Sequence, residues 1–294
     1  MSASTVLQQM KPPELEEAPP SRRGRLPFSP WHLILFPVAI VMVLPLLWML
    51  ITSVETLNET RHFPPILVPS GIRWQNYTTV LHIAAFGHWY LNSTVVTVTT
   101  VVSNLLLCSM AGYAFARIRF FGSGIVFVLI LATVMIPFQV VMIPTFLIVR
   151  RLGLIDTLGA LIVPNLANAF GIFMLRQFFR TLPIELEEAA RIDGASRLGV
   201  LFKIVLPLSM PVLATLAVIQ FMWTWNDFLW PLIVIYSENK MTLQLGLTTF
   251  QGAHQTNTNL LMAANVMSMA PILVLFFAAQ RYFIRGIATS GLKG

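Results

Sequence analysis

Charged residues are scarce in this chain of 294 residues: Asp, Glu, Lys and Arg make up 11% of it, whereas 56% of it is hydrophobic. A soluble domain carries about 25% charged residues, so the composition excludes an ordinary soluble protein and indicates a membrane protein in contact with lipid. The net charge of +7 does not indicate a nucleic-acid partner, because the basic residues flank apolar stretches and do not gather on one polar face.

The motifs of several kinds of catalytic site are also missing. Cys108 is the single cysteine, which excludes an intrachain disulfide and favours a small buried hydrophobe. The histidines show no metal-ligand spacing, so no metal site is predicted. An intramembrane serine protease built on Ser123 is disfavoured because no histidine lies within an apolar stretch. The phosphate-binding sequence G-x-x-x-x-G-K-[ST] does not occur, so no nucleotide cofactor and no catalytic residue are predicted in this chain.

Six apolar stretches are long enough to cross a bilayer, since a hydrocarbon core of about 30 Å takes about 20 helical residues. The predicted spans are 31–54, 91–116, 122–147, 157–178, 208–234 and 260–282. Residues 1–30 are rich in proline and of mixed charge, which predicts a disordered tail. The predicted fold class is therefore an all-α membrane protein with six transmembrane helices in one domain over residues 31–294.

The distribution of lysine and arginine predicts how these spans are oriented. With the N-terminus inside, 14 of the 19 basic residues lie in cytoplasmic segments, although Arg150 and Arg151 go against the trend. Basic residues are enriched on the cytoplasmic side of membrane proteins. Both termini and the loop at 180–207 are therefore predicted to be cytoplasmic. The segments 55–90 and 237–259 are predicted to lie outside, the second as either a solvated connector or a docking loop.

The loop at 180–207 contains a short charged helix with well-marked ends. Pro183 suits a first helical position, and Gly194 suits the left-handed conformation that ends a helix. The helix from Pro183 to Asp193 would be roughly 16 Å long, too short to span a bilayer and too charged to lie within one. It is predicted to face water.

The same loop resembles the signature of ABC-importer permeases. Glu188-Ala189-Ala190 is followed after three residues by Gly194, and after nine more by Ile204-Val205-Leu206-Pro207. Further segments resemble the smaller permease of maltose-transporter type carbohydrate importers, over roughly residues 30–294. These segments are Asn92-Ser93, Ala111–Arg117, Trp225-Asn226-Asp227-Phe228, Gln280-Arg281 and Gly291–Gly294.

That resemblance implies a type I importer in the cytoplasmic membrane of a prokaryote. A second permease subunit would complete the pathway, a dimer of ATP-binding cassette ATPases would bind ATP and magnesium, and an extracytoplasmic sugar-binding protein would deliver the substrate. The short charged helix would be the coupling helix that docks on the ATPase. The resemblance specifies the mechanism better than the substrate, and the sugar cannot be named from it.

The predicted coupling helix presents one face with small side chains. Leu186, Ala189, Ala190 and Asp193 share it by their i, i+3, i+4, i+7 spacing, and Glu188 lies beside them. A helix lying on the membrane surface would instead carry large apolar residues and basic flanks. Docking on the ATPase is therefore preferred. Four further residues are predicted to shape the turn and aim the helix: Gly194, Ile204, Leu206 and Pro207.

Asp227 is the only acid within an apolar stretch, and intramembrane acids are functional candidates. It would lie near the outer edge of its span, which favours an outer gate or a structural role with Trp225 and Asn226 over direct sugar contact. Trp225 could equally belong to an interfacial aromatic belt with Trp223 and Trp230. Three asparagines within spans are predicted to form hydrogen bonds between helices: Asn104, Asn165 and Asn168.

Two other classes of function remain as alternatives to a sugar permease. An importer permease for a non-sugar solute would share the same coupling loop. A secondary carrier would need internal repeats and charged residues at the midplane, and the sequence offers only Asp227.

Overall fold

The computed structural model describes residues 31–83, 85–251 and 257–290, with side chains as far as Gln280. The predicted tail at 1–30 and the C-terminal residues 291–294 lie outside the described residues. The described part contains helices and no strand, which confirms the all-α prediction. Its α-helices are α1 His32–Ser53, α2 Gln75–His82, α3 Phe86–Arg117, α4 Ser123–Val134, α5 Phe138–Arg151, α6 Leu158–Ile162, α7 Ala169–Phe179, α8 Glu185–Ile192, α9 Arg197–Val200, α10 Leu206–Leu208, α11 Met210–Trp225, α12 Leu229–Val234, α13 Leu243–Gly246 and α14 Thr258–Ser290. Short 3₁₀ turns occur at Glu59–Arg61, Val163–Asn165, Glu238–Lys240 and Leu247–Phe250, and a π-helical turn at Leu201–Val205.

Between four and six segments of the described part can cross a membrane, judged by length and composition. Four are single segments: His32–Ser53, Phe86–Arg117, Leu158–Phe179 and Thr258–Gln280. The other two are bent pairs: α4 with α5, bent by 105°, and Arg197–Leu208 with α11, bent by 83°. Six segments result if each bent pair counts as one span.

The two bends were not predicted, and each follows from local chemistry. The predicted span 122–147 is interrupted between α4 and α5 at Pro137, which lacks a backbone N–H and cannot continue the helical hydrogen bonds. The predicted span 208–234 is not one helix either. Helix α11 begins after a bend at Ser209 and ends at Trp225, and a second helix, α12, begins at Leu229.

The described residues divide between Leu46 and Leu47 into two compact units. Within the first, the apolar side chains of α1 are exposed along the helix, among them Leu33 at 81% and Met42 at 73%. A continuous apolar surface of this kind is unfavourable in water and favourable in lipid. The exposure of α1 therefore fits a membrane-spanning helix.

Helix α3 is the centre of the larger unit, and it packs against α7 and α11. Small residues allow the close approach of α7: a Cβ on Gly112 would lie 3.1 Å from the backbone nitrogen of Arg176, and one on Gly171 would lie 3.0 Å from the sulfur of Cys108. Close contact through small residues is a common way for helices to associate in membranes. The buried residues form three apolar clusters, centred on Trp89 and Trp225, on Trp230 and Val234, and on Phe179 and Leu201.

Candidate functional site

The short charged helix is present as α8, and its C-terminal end is fully capped. The helix begins at Glu185, with Ile184 before it, so Pro183 lies outside the helix and not at its first position as predicted. Gly194 takes φ = +86°. Its N–H donates to the carbonyl of Arg191 at 3.1 Å, and the N–H of Ala195 donates to the carbonyl of Ala190 at 2.9 Å. These two bonds form a Schellman motif, which ends the helix sharply.

Gly194→Val is expected to weaken transport by displacing α8. No atom lies within 4 Å of a Cβ at Gly194, so the cost comes from the positive φ alone. For a β-branched residue this cost is about 1–2 kcal/mol or more. Gly194→Asn is the matched control, since asparagine tolerates this conformation and should keep transport near the wild-type rate. Substrate uptake by membrane vesicles measures both, and equal uptake by the two variants would contradict a role for the turn.

A nearly buried ion pair attaches α8 to the end of α3. The Arg117 guanidinium donates from Nε to Glu187 Oε1 at 2.7 Å and from Nη2 to the carbonyl of Leu182 at 2.7 Å. The Tyr113 hydroxyl donates to the second carboxylate oxygen of Glu187 at 3.0 Å. Glu187 is only 6% exposed. Burial of a carboxylate has a desolvation cost, which partners of this kind offset. Any displacement of α8 therefore acts directly on α3.

Sequence reasoning missed this attachment. Glu187 was not among the predicted site residues, and Tyr113 and Arg117 were included only as part of the family-like segment Ala111–Arg117. A signal was present: Glu187 and Ala190 lie three residues apart, so they share a helical face that is turned by roughly 100° from the face of Leu186 and Ala189. Burial of that face could not be known without the packing of α3.

The predicted docking face is exposed in large part. Leu186 is 46% exposed, and Ala189, Asp193 and Glu188 are also exposed. Ala190 is the exception, because it is half-buried against the apolar cluster that contains Phe179 and Leu201. Its small side chain lets α8 approach its own protein, and its place in the docking face stays a prediction.

The residues at 204–207 lie where the chain turns from the loop into the membrane helix. Ile204 is in the π-helical turn, Leu206 donates its N–H to the carbonyl of Leu201, and Pro207 follows inside α10. The bend of 83° comes directly afterwards, at Ser209. These residues lie on the path of the chain between α8 and α11, and their role in aiming α8 stays a prediction.

A cavity of about 360 Å³ lies within the membrane helices. Its lining includes Asn165 and Asn168, near the start of α7, and Gln220 and Thr224 of α11, with Asp227 just beyond that helix. Aromatic side chains also line it: Phe138, Trp223 and Trp230. A cavity of this size, with apolar walls and a few polar groups, has the usual character of a small-molecule site.

The polar side chains of the cavity are held by one hydrogen-bond network. The Asn168 amide donates to Asn104 Oδ1 at 2.6 Å and to Gln220 Oε1 at 2.8 Å, and Gln220 donates to the Thr224 hydroxyl at 3.0 Å. Asn104 donates to the carbonyl of Asn165 at 2.7 Å. These contacts join α3, α7 and α11. The side chains of Asn104 and Asn168 therefore bond between helices as predicted, whereas the Asn165 side chain donates to the carbonyl of Leu161 in its own segment. Asn165 and Asn168 also border the cavity.

The three residues of the predicted outer gate do not form one site. Asp227 lines the cavity. Trp225 is 2% exposed, packs in the cluster with Trp89 and donates its indole N–H to the carbonyl of Ser268 at 3.1 Å. Asn226 is exposed and bonds back to the carbonyl of Met222. Trp225 therefore has a structural role, and its burial also rules out the interfacial belt that sequence allowed.

The segment 237–259 is not a solvated connector over its first half. Leu243 is fully buried and Leu245 is 4% exposed, so both belong to the core. Asn92 donates to the carbonyls of Asn239 and Met241, and the Ser93 hydroxyl accepts from the N–H of Leu243 at 2.7 Å. This part is a folded element of the protein, and residues 252–256 lie outside the described residues.

Asp156 fixes the same segment from a second side. Its carboxylate accepts from the Ser237 hydroxyl at 2.6 Å and from the N–H groups of Tyr236 and Ser237, and it pairs with Lys240 at 3.0 Å. These bonds, chiefly that from the Ser237 hydroxyl, hold the pKa of Asp156 well below its usual range. A group with a lowered folded-state pKa stabilises the fold above its unfolded pKa, and that contribution is lost as the pH falls through the folded pKa. The contact is therefore intact at neutral pH.

Comparison with known proteins places these features in a family. A family model described as "binding-protein-dependent transport system inner membrane component" matches residues 104–289. The arabinooligosaccharides transport system permease protein AraQ of Halalkalibacterium halodurans is 38% identical over 260 residues, which cover 87% of this chain and 93% of that protein. The sn-glycerol-3-phosphate transport system permease protein UgpE of Pectobacterium atrosepticum is 36% identical over 278 residues, which cover 92% of this chain and 98% of that protein.

Solved structures agree. A chain of a bacterial ABC transporter involved in the import of the acidic polysaccharide alginate is 28% identical, with a TM-score of 0.77, over 87% of this chain and 99% of that one. A chain of the MetNI methionine ABC transporter shares the fold at 18% identity, with a TM-score of 0.53, over 71% of this chain. The predicted resemblance to ABC-importer permeases is confirmed, and the chain belongs to the family of binding-protein-dependent transport system inner membrane components.

Proposed function

We propose that this chain is a permease subunit of an ATP-driven importer for a carbohydrate. It works with a second permease, a dimer of ATPase subunits that binds ATP and magnesium, and an extracytoplasmic sugar-binding protein. The observation that carries the proposal is α8: a projecting helix with an exposed face, attached to the membrane helix α3 by the Arg117–Glu187 pair. Such a helix can receive a movement from a partner and pass it to the membrane part.

The exposed face of α8 fits a groove on a partner protein. Its centre is Ala189, which permits close approach of a backbone, and Leu186 and Ile192 add exposed apolar surface at 46% and 86%. Glu188 and Asp193 place charge at its edges and can fix the register through complementary charges. Since exposed apolar groups of this kind mark interaction sites, we assign α8 to ATPase docking.

The proposed orientation puts α8 and both termini in the cytoplasm and the element at 237–251 outside. The excess of lysine and arginine on the α8 side supports it. ATP and its hydrolysis then belong to a partner on the α8 side, and the binding protein approaches the opposite side. The importer would be in the inner membrane, as the family description states.

A carbohydrate substrate is supported by the polar and aromatic cavity and by the arabinooligosaccharide system of a relative. A secondary carrier is disfavoured, because it would need coupled charges near the midplane. The ion pairs of the described residues, Arg117–Glu187 and Lys240–Asp156, do not line the cavity.

Ala189→Trp is expected to separate this chain from its ATPase. The indole would prevent close approach of α8 to a groove, while the exposed position leaves the protein's own core intact. We expect ATPase co-purification and uptake to fall at least tenfold, with no change in melting temperature. Ala189→Ser is the matched control and should keep both. The purified chain alone should not bind ATP.

Two outcomes would contradict the assignment. One is retention of a wild-type amount of ATPase by Ala189→Trp with normal uptake, which would exclude α8 as the docking helix. The other is saturable ATP binding by the isolated chain, which would exclude a separate ATPase as the source of energy.

A further inference from the structure

We propose that the cavity beside Asp227 binds a neutral saccharide unit directly, and that Asp227 disfavours anionic solutes there. The inference rests on the proposed function of sugar import. It goes further by assigning substrate contact to this subunit and by naming the charge class that the cavity accepts. The distinction matters because the relatives include transport systems for a phosphate ester and for an acidic polysaccharide.

The charge of the cavity is the first argument. Among the residues that the structure describes, Asp227 is the only ionisable one in the lining, which contains no lysine, arginine or histidine. The Asp227 carboxylate accepts from the backbone N–H groups of Trp230, at a long 3.4 Å, and of Leu229. Neither ion pair of the described residues involves Asp227. A carboxylate without a cation repels a second anion strongly where the dielectric constant is low, and it accepts hydrogen bonds from neutral hydroxyl groups.

A buried hydroxyl group without a partner is the second argument. Thr242 lines the same cavity, is 5% exposed, and its hydroxyl oxygen has no hydrogen-bond partner within the described part of the chain. A buried polar group that lacks a partner carries a cost, which a ligand can remove. A saccharide hydroxyl both donates and accepts, so a sugar can serve an acceptor such as Asp227 and a hydroxyl such as Thr242 together.

The aromatic walls are the third argument. Trp223 is 52% exposed, so much of its surface is available. Its ring packs edge-to-face with that of Phe170, with 5.5 Å between the ring centroids. Trp230 is fixed by its indole N–H, which donates to the carbonyl of Ala160 at 2.9 Å, and by Phe138, which packs perpendicular to it. Rigid aromatic surfaces next to a few polar groups suit a ring that has apolar C–H faces and hydroxyl groups at its edge.

The cavity is also held in shape before a ligand arrives. Asn168 caps α7, because its side-chain oxygen accepts from the N–H of Gly171 at 2.6 Å. Its side-chain NH₂ group donates to Asn104 and to Gln220. Its hydrogen-bonding capacity is therefore used within the protein, and it acts as a positioning residue. Because the lining is fixed in advance, less binding energy is lost in ordering it.

The test is isothermal titration of the purified, complete transporter in detergent with matched neutral and anionic trisaccharides. The neutral probes are maltotriose and arabinotriose, and the anionic probe is trigalacturonate. We expect the wild type to bind at least one neutral probe at least tenfold more tightly than trigalacturonate. Asp227→Asn keeps the size of the side chain and removes its charge, so the preference should fall by about tenfold, the effect of one charged hydrogen bond. Glu238→Gln is the control, since Glu238 is an exposed acid that does not line this cavity, and it should keep the preference.

Three results would overturn the proposal: equal or tighter binding of trigalacturonate by the wild type, binding of none of the probes, or an unchanged preference in Asp227→Asn. ATP hydrolysis by the same preparations separates this inference from the proposed function. If the complex contains the ATPase and hydrolyses ATP but shows no charge preference, only the inference fails. If no ATPase joins the complex, the proposed function fails as well.

Discussion

Glu187→Ala is expected to abolish uptake and to destabilise the protein. The change leaves the Arg117 guanidinium, 12% exposed in its side chain, without its carboxylate, and it removes the acceptor of the Tyr113 hydroxyl. Breaking a buried ion pair from one side costs about 3–5 kcal/mol, because a charge stays buried without compensation. We expect a fall of several degrees in melting temperature and loss of ATP-driven uptake in proteoliposomes.

The control is Glu188→Ala, which changes the adjacent acid. Glu188 is exposed, and neither ion pair of the described residues involves it. Its replacement should leave the melting temperature within about a degree, since exposed charges contribute little to stability. Any loss of uptake in Glu188→Ala would then come from docking and not from unfolding.

A double variant separates stability from coupling. Replacing both members of the pair by methionine removes both charges, and apolar residues of similar volume often match or exceed the stability of a buried pair. Arg117→Met combined with Glu187→Met should therefore recover the melting temperature. If uptake also returns in full, the pair only stabilises the fold. If uptake stays low in a stable protein, the directional contact between α8 and α3 is needed for coupling. A single Glu187→Ala variant with normal stability and uptake would contradict the assignment altogether.

Sequence was sufficient for what depends on local chemistry. Composition and the length of apolar stretches indicated an all-α membrane protein, and Gly194 was identified as the end of α8, which its φ of +86° bears out. The family followed from the spacing of the loop motif. Each of these features is contained in a short stretch of chain, so no tertiary contact was needed to infer it.

What sequence could not provide depends on which helices meet. The burial of Glu187, and with it the inward position of Ala190, is set by α3, which is 70 residues earlier at Arg117. Trp225 and Asp227 are two residues apart, yet the first packs near Ser268 and the second lines the cavity. The helix ends between them at Trp225, so two residues that are close in sequence have different surroundings. The interpretation of 243–250 as part of a solvated connector failed too. The apolar residues within this polar segment are buried against Trp89 and its neighbours.

The role of the element at 237–251 can be tested at Gly246, where a single methyl group should have a large effect. A Cβ at Gly246 would overlap the indole of Trp89. Trp89 is fully buried, and its N–H donates to the carbonyl of Glu238 at 2.7 Å, so the ring cannot move aside without breaking that bond. Overpacking of this kind costs about 1–3 kcal/mol, and more where the neighbour is rigid. Gly246→Ala should therefore lower the melting temperature by several degrees and displace the element at 237–251.

The matched control is Gly124→Ala, also a helical glycine, with no atom within 4 Å of the added Cβ. It should leave stability unchanged or slightly higher, because alanine is the better helix former. Gly246→Ala combined with Trp89→Leu should cost less than the sum of the two single changes, since the methyl group then meets no indole. Additive costs would show that the overlap with Trp89 is not the cause. Residue Ala190 of α8 packs against a different apolar cluster from the one that contains Trp89. Gly246→Ala should therefore retain the ATPase but lose stimulation by the binding protein.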